Sequence, residues 1–219
     1  MSIRLAIFDC DGTLVDSQHS IVAAMQAAFD AAGLVAPERA VILGNVGLSL
    51  SHIMERLLPE ADAAFQDEMV ERYKRAFFEM RASGALHEPL YEGMGELLDA
   101  LEAQGWLLAV ATGKSDRGLK AVLDHHGLLP RFVSLQTADR HPSKPHPSMI
   151  EAALAEAGAM RERSIMIGDT SFDMMMARTA NVRALGVGWG YHAADELLAA
   201  GAESVAMDSA ELARHIGLP

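Results

Sequence analysis

From residue 94 onward the sequence alternates short apolar runs with amphipathic stretches, and this rhythm constrains the fold more than any other feature. Apolar runs at 107–111, 132–135, 165–167, 183–187 and 204–207 have the length of buried strands. Around them, apolar residues recur at helical spacing near 94–104, 116–126, 148–157, 172–180 and 194–199, and a last helix closes the chain. Strands separated by helices pair in parallel, because each crossover lays a helix against one face of the sheet. The chain begins with one more such strand, Ile3 to Phe8, which runs directly into Asp9, Cys10, Asp11 and Gly12. The expected fold class is α/β, a doubly wound parallel sheet of Rossmann-like form.

The stretch between the first and second strands breaks the rhythm. Helical patterns follow one another near 17–33, 38–43, 49–57 and 60–81, with no strand among them. In the first, Ile21, Val22, Met25, Ala28, Phe29 and Ala32 form one stripe closed by Gly33. This block is too long for a single crossover. It is expected to be an inserted helical cap domain, residues 16–86, on a core of residues 1–15 and 87–219.

Half of the 219 residues are hydrophobic, enough for a sizeable core without disulfides. With 18 basic against 30 acidic residues the net charge is -12, which argues against a nucleic-acid partner and against an anionic membrane. A phosphate ligand would need a local positive site built against that field. The one cysteine, Cys10, excludes an internal disulfide, and the N-terminal apolar run is too short for a secretory leader, so a cytoplasmic location is expected. Oligomeric state has no reading in the sequence.

In doubly wound sheets ligands bind at the carboxyl ends of the strands, and four such ends carry chemistry here. The first ends in Asp9-Cys10-Asp11-Gly12-Thr13. Residues i and i+2 of an extended chain point to the same side, so both carboxylates face one cleft while Cys10 points into the packing. Two carboxylates held close can divide their roles, one ionised and one carrying a proton. Thr112-Gly113-Lys114 offers a hydroxyl, turn amides and a cation for anionic oxygens. Lys144 precedes Pro145, which fixes the chain leading into a helix. Gly168-Asp169-Thr170-Ser171-Phe172-Asp173 brings two further carboxylates to a strand end and a helix's first turn, hard oxygen ligands of the kind that suit Mg²⁺. Together these are the parts that phosphoryl transfer needs: a nucleophile, a proton carrier, phosphate donors and a cation site.

In these four segments and their order the chain resembles the haloacid dehalogenase superfamily of phosphohydrolases, over nearly its whole length. Asp9-x-Asp11-Gly12-Thr13 is similar to the first motif, Thr112 to the second, Lys144 to the third and Gly168-Asp169-x-x-x-Asp173 to the fourth. The helical insert resembles the cap of phosphoglycolate phosphatase-like and β-phosphoglucomutase-like members. The resemblance implies a phosphoric monoester hydrolase in which Asp9 is the nucleophile and forms an aspartyl-phosphate. It implies that Asp11 is the general acid and base, and that Thr112 and Lys144 bind phosphoryl oxygens. It further implies Mg²⁺ held by Asp9, the Asp11 carbonyl and Asp169, with Asp173 beside it.

Gly113 and Lys114 are additional candidate substrate contacts, as is Asn45 in Gly44-Asn45-Val46-Gly47-Leu48-Ser49, which resembles the cap loop presented to substrate. Thr13 is expected to bond backbone in its turn, and Asp16 or Ser17 to cap the first helix. Asp11 separates phosphate chemistry from halide displacement, which needs no proton. Thr13-Leu14-Val15-Asp16-Ser17 looks like the phosphatase pattern, so a small phosphorylated metabolite such as phosphoglycolate is the expected substrate. The alternatives are a phosphomutase, an inorganic pyrophosphatase, and a binding module on a silent scaffold.

Overall fold

The computed structural model describes residues 3–218. Its centre is one sheet of six parallel strands: β1 (Arg4–Phe8), β2 (Trp106–Thr112), β3 (Phe132–Thr137), β4 (Ser164–Gly168), β5 (Arg183–Val187) and β6 (Ser204–Ala206). Their spatial order is β3-β2-β1-β4-β5-β6, the doubly wound order. It reverses direction between β1 and β4, where crossovers diverge to opposite faces and leave a crevice at the carboxyl ends of the strands.

The alternation along β1 shows how the sequence builds two cores. Ala6 and Phe8, with Cys10 just beyond the strand, pack on one face with α5 (Met94–Ala103), α6 (Asp116–His125) and α10 (Ser209–Ile216). Leu5 and Ile7 pack on the other with α7 (Ser148–Ala157), α8 (Ser171–Thr179) and α9 (Ala194–Ala200). Full burial of side chains this size stabilises by roughly 1.5–3 kcal/mol each.

Ahead of α5, the connection from β1 to β2 holds four helices, α1 (Gln18–Ala31), α2 (Arg39–Leu43), α3 (Leu50–Leu57) and α4 (Ala63–Ala82). They share a third apolar cluster, in which Met25, Phe29, Met54 and Met69 meet and which Phe172 of α8 joins from the sheet side. Local signals set the ends: Ser49 accepts from the His52 amide ahead of α3, and Asp62 from the Phe65 amide ahead of α4. Where the chain leaves for these helices and returns, its two segments lie side by side. The Asp16 amide donates to the Pro89 carbonyl at 2.8 Å, and the Tyr91 amide to the Leu14 carbonyl at 3.1 Å. Among the described residues no helix is long and apolar enough to cross a membrane.

Candidate active site

The crevice gathers Asp9, Asp11, Thr112, Lys144, Asp169 and Asp173, all buried, at the ends of β1, β2 and β4, in the loop before α7 and in the first turn of α8. Asp9 is 1 % exposed. Its Oδ1 accepts from the Cys10 amide at 2.6 Å. Lys144 Nζ stands 2.9 Å from Oδ2, off the line of a hydrogen bond, so this buried oxygen has no directed donor. Lys144 also donates to Asp173 Oδ1 at 2.6 Å. Burial opposes a charge on Lys144, but Asp173 and Asp9 outweigh it and hold the ammonium pKa above its ordinary value.

Oxygens of Asp9, Asp169 and Asp173 lie within 4.8 Å of one another. Three buried carboxylates against one ammonium leave an excess of negative charge. Burial, with the neighbouring Asp173 charge, pushes Asp9 up to about 7 even beside Lys144. Burial and the charges of Asp9 and Asp173 likewise push Asp169 up, although Thr13 and the Tyr191 amide donate to it. A donor set of hard oxygens, one of them an orphan, fits a divalent cation, whose charge would relieve this repulsion. Gly12 makes room for the arrangement: its φ is +82°, and a Cβ there would lie 2.2 Å from Asp169 Oδ2.

Asp11 belongs to a second network. Lys114 Nζ donates to its Oδ1 at 2.6 Å, and the Ser17 hydroxyl donates to the same oxygen. Ser17 has one proton, so Tyr191 is the donor in the 3.0 Å contact between their hydroxyls. Both bonds to Asp11 land on Oδ1, which leaves Oδ2 for the cavity that Asp11 lines. Lys114 continues to Glu88 Oε1 at 3.0 Å, and Arg81 reaches Glu88 Oε2 at 3.1 Å. The negative partners Asp11 and Glu88 overcome burial and keep Lys114 protonated.

The cavity measures about 280 Å³ and is bounded by Asp9, Asp11, Thr112, Gly113 and Lys114 on the sheet side. Thr112 Oγ1 accepts from the Lys114 amide at 3.2 Å, so its own proton is free to point elsewhere. Loop 44–49 closes the other side. A Cβ on Gly113 would lie 2.4 Å from the Leu48 carbonyl oxygen, so only glycine lets the loop backbone approach this closely. The Ser49 amide donates to Ser143 Oγ at 2.8 Å, which ties the loop to the segment carrying Lys144.

Several sequence expectations need correction. Asn45 does not line the cavity: its amide turns back to the Val41 carbonyl at 2.7 Å, because the short α2 ends there with carbonyls in need of a donor. Thr13 bonds the Asp169 carboxylate at 2.7 Å and not its own turn. The hydroxyl of Ser17 goes to Asp11 and does not cap α1; Asp16 accepts from the Gln18 amide at 3.2 Å. Asp173 needs no correction: it pairs with Lys144, as one reading of the sequence has it, beside Asp9 and Asp169, and also forms a reciprocal cap with Thr170 at the start of α8. Glu88 and Tyr191 were not identified from sequence, since their partners Lys114 and Ser17 are remote along the chain, and Ser17 was read only as a helix cap although Asp11 stands six residues before it. Cys10 is packed in the core with its thiol pKa pushed up by burial, and is inert.

Comparison with known proteins gives a consistent family. The model of haloacid dehalogenase-like hydrolases matches residues 6–187. The probable phosphatase IndB of Dickeya dadantii is 37% identical over 201 residues, spanning 90% of this chain and 86% of that one. A phosphoglycolate phosphatase of Agrobacterium fabrum is 34% identical, with 85% and 81% covered. The crystal structure of a predicted phosphatase from Clostridium acetobutylicum superposes with a TM-score of 0.87 at 25% identity, over 99% of both chains.

Proposed function

Because the chain belongs to the haloacid dehalogenase-like hydrolase family, we propose that it is a Mg²⁺-dependent phosphatase that hydrolyses a small phosphomonoester through an aspartyl-phosphate on Asp9. The observation that carries this reading is the pair of carboxylates at the end of β1. Asp9 is buried against Lys144 with one oxygen lacking a donor, and Asp11 is oriented by Lys114 and Ser17 with its second oxygen left for the cavity. One residue is arranged to attack and the other to carry a proton.

In the first half-reaction an Asp9 oxygen forms a bond to phosphorus while the ester P–O bond breaks. The leaving alkoxide takes its electron pair and receives the proton from Asp11 Oδ2. In the second, Asp11 Oδ2 removes a proton from water, the water oxygen bonds phosphorus, and the Asp9 O–P bond breaks to return the carboxylate. The Thr112 hydroxyl and the Gly113 amide hold phosphoryl oxygens, and Lys144 offsets the charge where Asp9 meets the phosphoryl group. Asp9, Asp169 and the Asp11 main-chain carbonyl would hold Mg²⁺, with Asp173 beside them, and the ion when bound neutralises phosphoryl charge. Lys114 serves by orienting Asp11 at the cavity wall. Residues 16–86 act as a cap, whose loop 44–49 limits bulk solvent at the phosphorylated Asp9 while the one water that Asp11 activates reacts.

Phosphoglycolate, the substrate named for one of the relatives, is the first compound to assay. The test is phosphate release from a panel of monoesters and pyrophosphate, with Mg²⁺ or with EDTA, for wild type and Asp9→Asn. Metal-dependent release that falls at least ~10⁴-fold in Asp9→Asn is the expected result, in line with loss of a covalent nucleophile. Absence of release from every compound by folded protein with metal would overturn the reading and bring forward a mutase or a silent scaffold.

A further inference from the structure

The cap side of the cavity differs in kind from the sheet side. Opposite the carboxylates, its wall is made by Ile21 and Met25 of α1, Val46 and Leu48 of the closing loop, and Tyr73 and Phe77 of α4. Phe77 stands at the junction of the two halves, with Lys114 Nζ 5.3 Å from its ring centre and Tyr73 tilted against it at 5.7 Å. A leaving group attached to a phosphorus between Asp9 and Asp11 would share the cavity with these apolar side chains.

All but one of the cations on the same wall are already paired with carboxylates. Lys114 is bound by Asp11 and Glu88, Arg81 by Glu88, and Lys74 by Glu71 at 2.7 Å. Arg117 sits at the exposed rim, stacked 4.6 Å over Phe78. A carboxylate on the substrate body inside the cavity would therefore lose water against apolar side chains and, short of Arg117 at the rim, meet only cations already paired with carboxylates. An uncharged apolar body would lose nothing of the sort.

Resting on the phosphatase reading above, we propose that the alcohol of the substrate is an uncharged apolar group about the size of one aromatic ring. Size supports this as well as chemistry. The 280 Å³ cavity is close to twice the roughly 150 Å³ that accommodates benzene in an apolar protein cavity, which leaves space for a ring-sized body together with the phosphoryl group.

The experiment compares kcat/KM for methyl, n-butyl, n-hexyl and benzyl phosphate with that for phosphoglycolate. All have alkoxide leaving groups, so the series varies the body more than the reactivity of the bond. Expected is a rise of about threefold to fourfold per methylene up to butyl, carried mainly by KM. Benzyl phosphate should exceed phosphoglycolate by at least about tenfold. Phe77→Ala should lower the ratio of benzyl to methyl turnover by about tenfold, and Phe77→Leu should restore most of it. A flat series, or a preference for phosphoglycolate, would overturn the apolar substrate class while leaving the phosphatase standing. No turnover of any ester would overturn the phosphatase reading itself, and this inference with it.

Discussion

The sheet ends and the helical insert face each other across one cavity, yet they are stabilised by opposite means. The sheet side buries charge: Asp9, Asp11, Lys144, Asp169 and Asp173 are each less than a tenth exposed, and nearly every oxygen or nitrogen has a named partner. The insert side buries hydrocarbon, and its third apolar cluster gives it a core of its own. A constellation of buried charges tolerates little movement, because a displaced partner leaves an uncompensated ion. An apolar cluster tolerates repacking at modest cost. On the proposed reading, the groups that must not move stand on strand ends, in the loop before α7 and in the first turn of α8, and the wall that would meet the variable part of a substrate stands on helices. The segments between them, 14–16 and 89–91, are tied by main-chain hydrogen bonds, so the insert is anchored where it joins the sheet.

The sharpest way to break this comparison is to remove the one cation from the buried carboxylates. Lys144→Met leaves Asp9 and Asp173 facing each other without the ammonium that now lies 2.9 and 2.6 Å from them. A loss of about 3–5 kcal/mol is expected for metal-free protein, a fall in Tm on the order of 10 °C, measured by calorimetry. Adding Asp173→Asn should recover part of it, since the two changes act on one contact. Mg²⁺ should raise Tm more in Lys144→Met than in wild type, because binding to the native state relieves a larger repulsion. A loss below about 1 kcal/mol would mean that the cluster is held by its packing and not by charge balance.

The next test acts on the contact between the two halves. Gly113→Ala places a methyl 2.4 Å from the Leu48 carbonyl and 2.7 Å from that of Gly47, and backbone cannot yield as a side chain tip can. Loop 44–49 must shift while both cores stay intact. Turnover should fall about 10- to 100-fold, as a displacement near 1 Å at a reacting centre does. Tm should change by only a few degrees. Unchanged turnover would separate the loop from the chemistry.

The same division governs what the sequence made legible. The sheet was readable because strand period and helix period differ, and the crossovers leave only one kind of sheet. Asp9, Asp11, Thr112, Lys144, Asp169 and Asp173 were readable as candidates because each stands where an apolar run ends or a helix begins, and the structure brings their side chains together. Their supports were not. Glu88 lies 26 residues from Lys114, and Tyr191 lies 174 residues from Ser17, distances over which no local pattern speaks. The insert's helices were visible, but not which apolar residues would face the cavity. Met25 and Phe29 fall on the same stripe of α1, and only Met25 reaches the cavity wall. Asn45 shows the same difficulty in reverse, a polar residue in a promising loop whose amide the helix end claims.

The smallest expected effect lies on the core but outside the cleft, where a carboxylate should behave as surface charge does. Asp116, in the first turn of α6, accepts from Thr137 Oγ1 at 2.8 Å and from Arg140 at 3.0 Å. Burial works against its ionisation, but these donors outweigh it and hold its pKa below the ordinary 3.8. The sign follows: a carboxyl depressed in the folded state stabilises fully above its unfolded pKa and loses that contribution as pH falls through the folded one. Its side chain is 34% exposed, so solvent screening limits the effect to no more than about 1 kcal/mol. Asp116→Asn should accordingly melt slightly lower than wild type at neutral pH, and the two should converge once the pH drops well below 3.8. A difference that persists unchanged in acid would trace the loss to the Thr137 hydrogen bond and not to the charge. A difference as large as that for Lys144→Met would erase the distinction between a charge held in the cleft and one held at the surface.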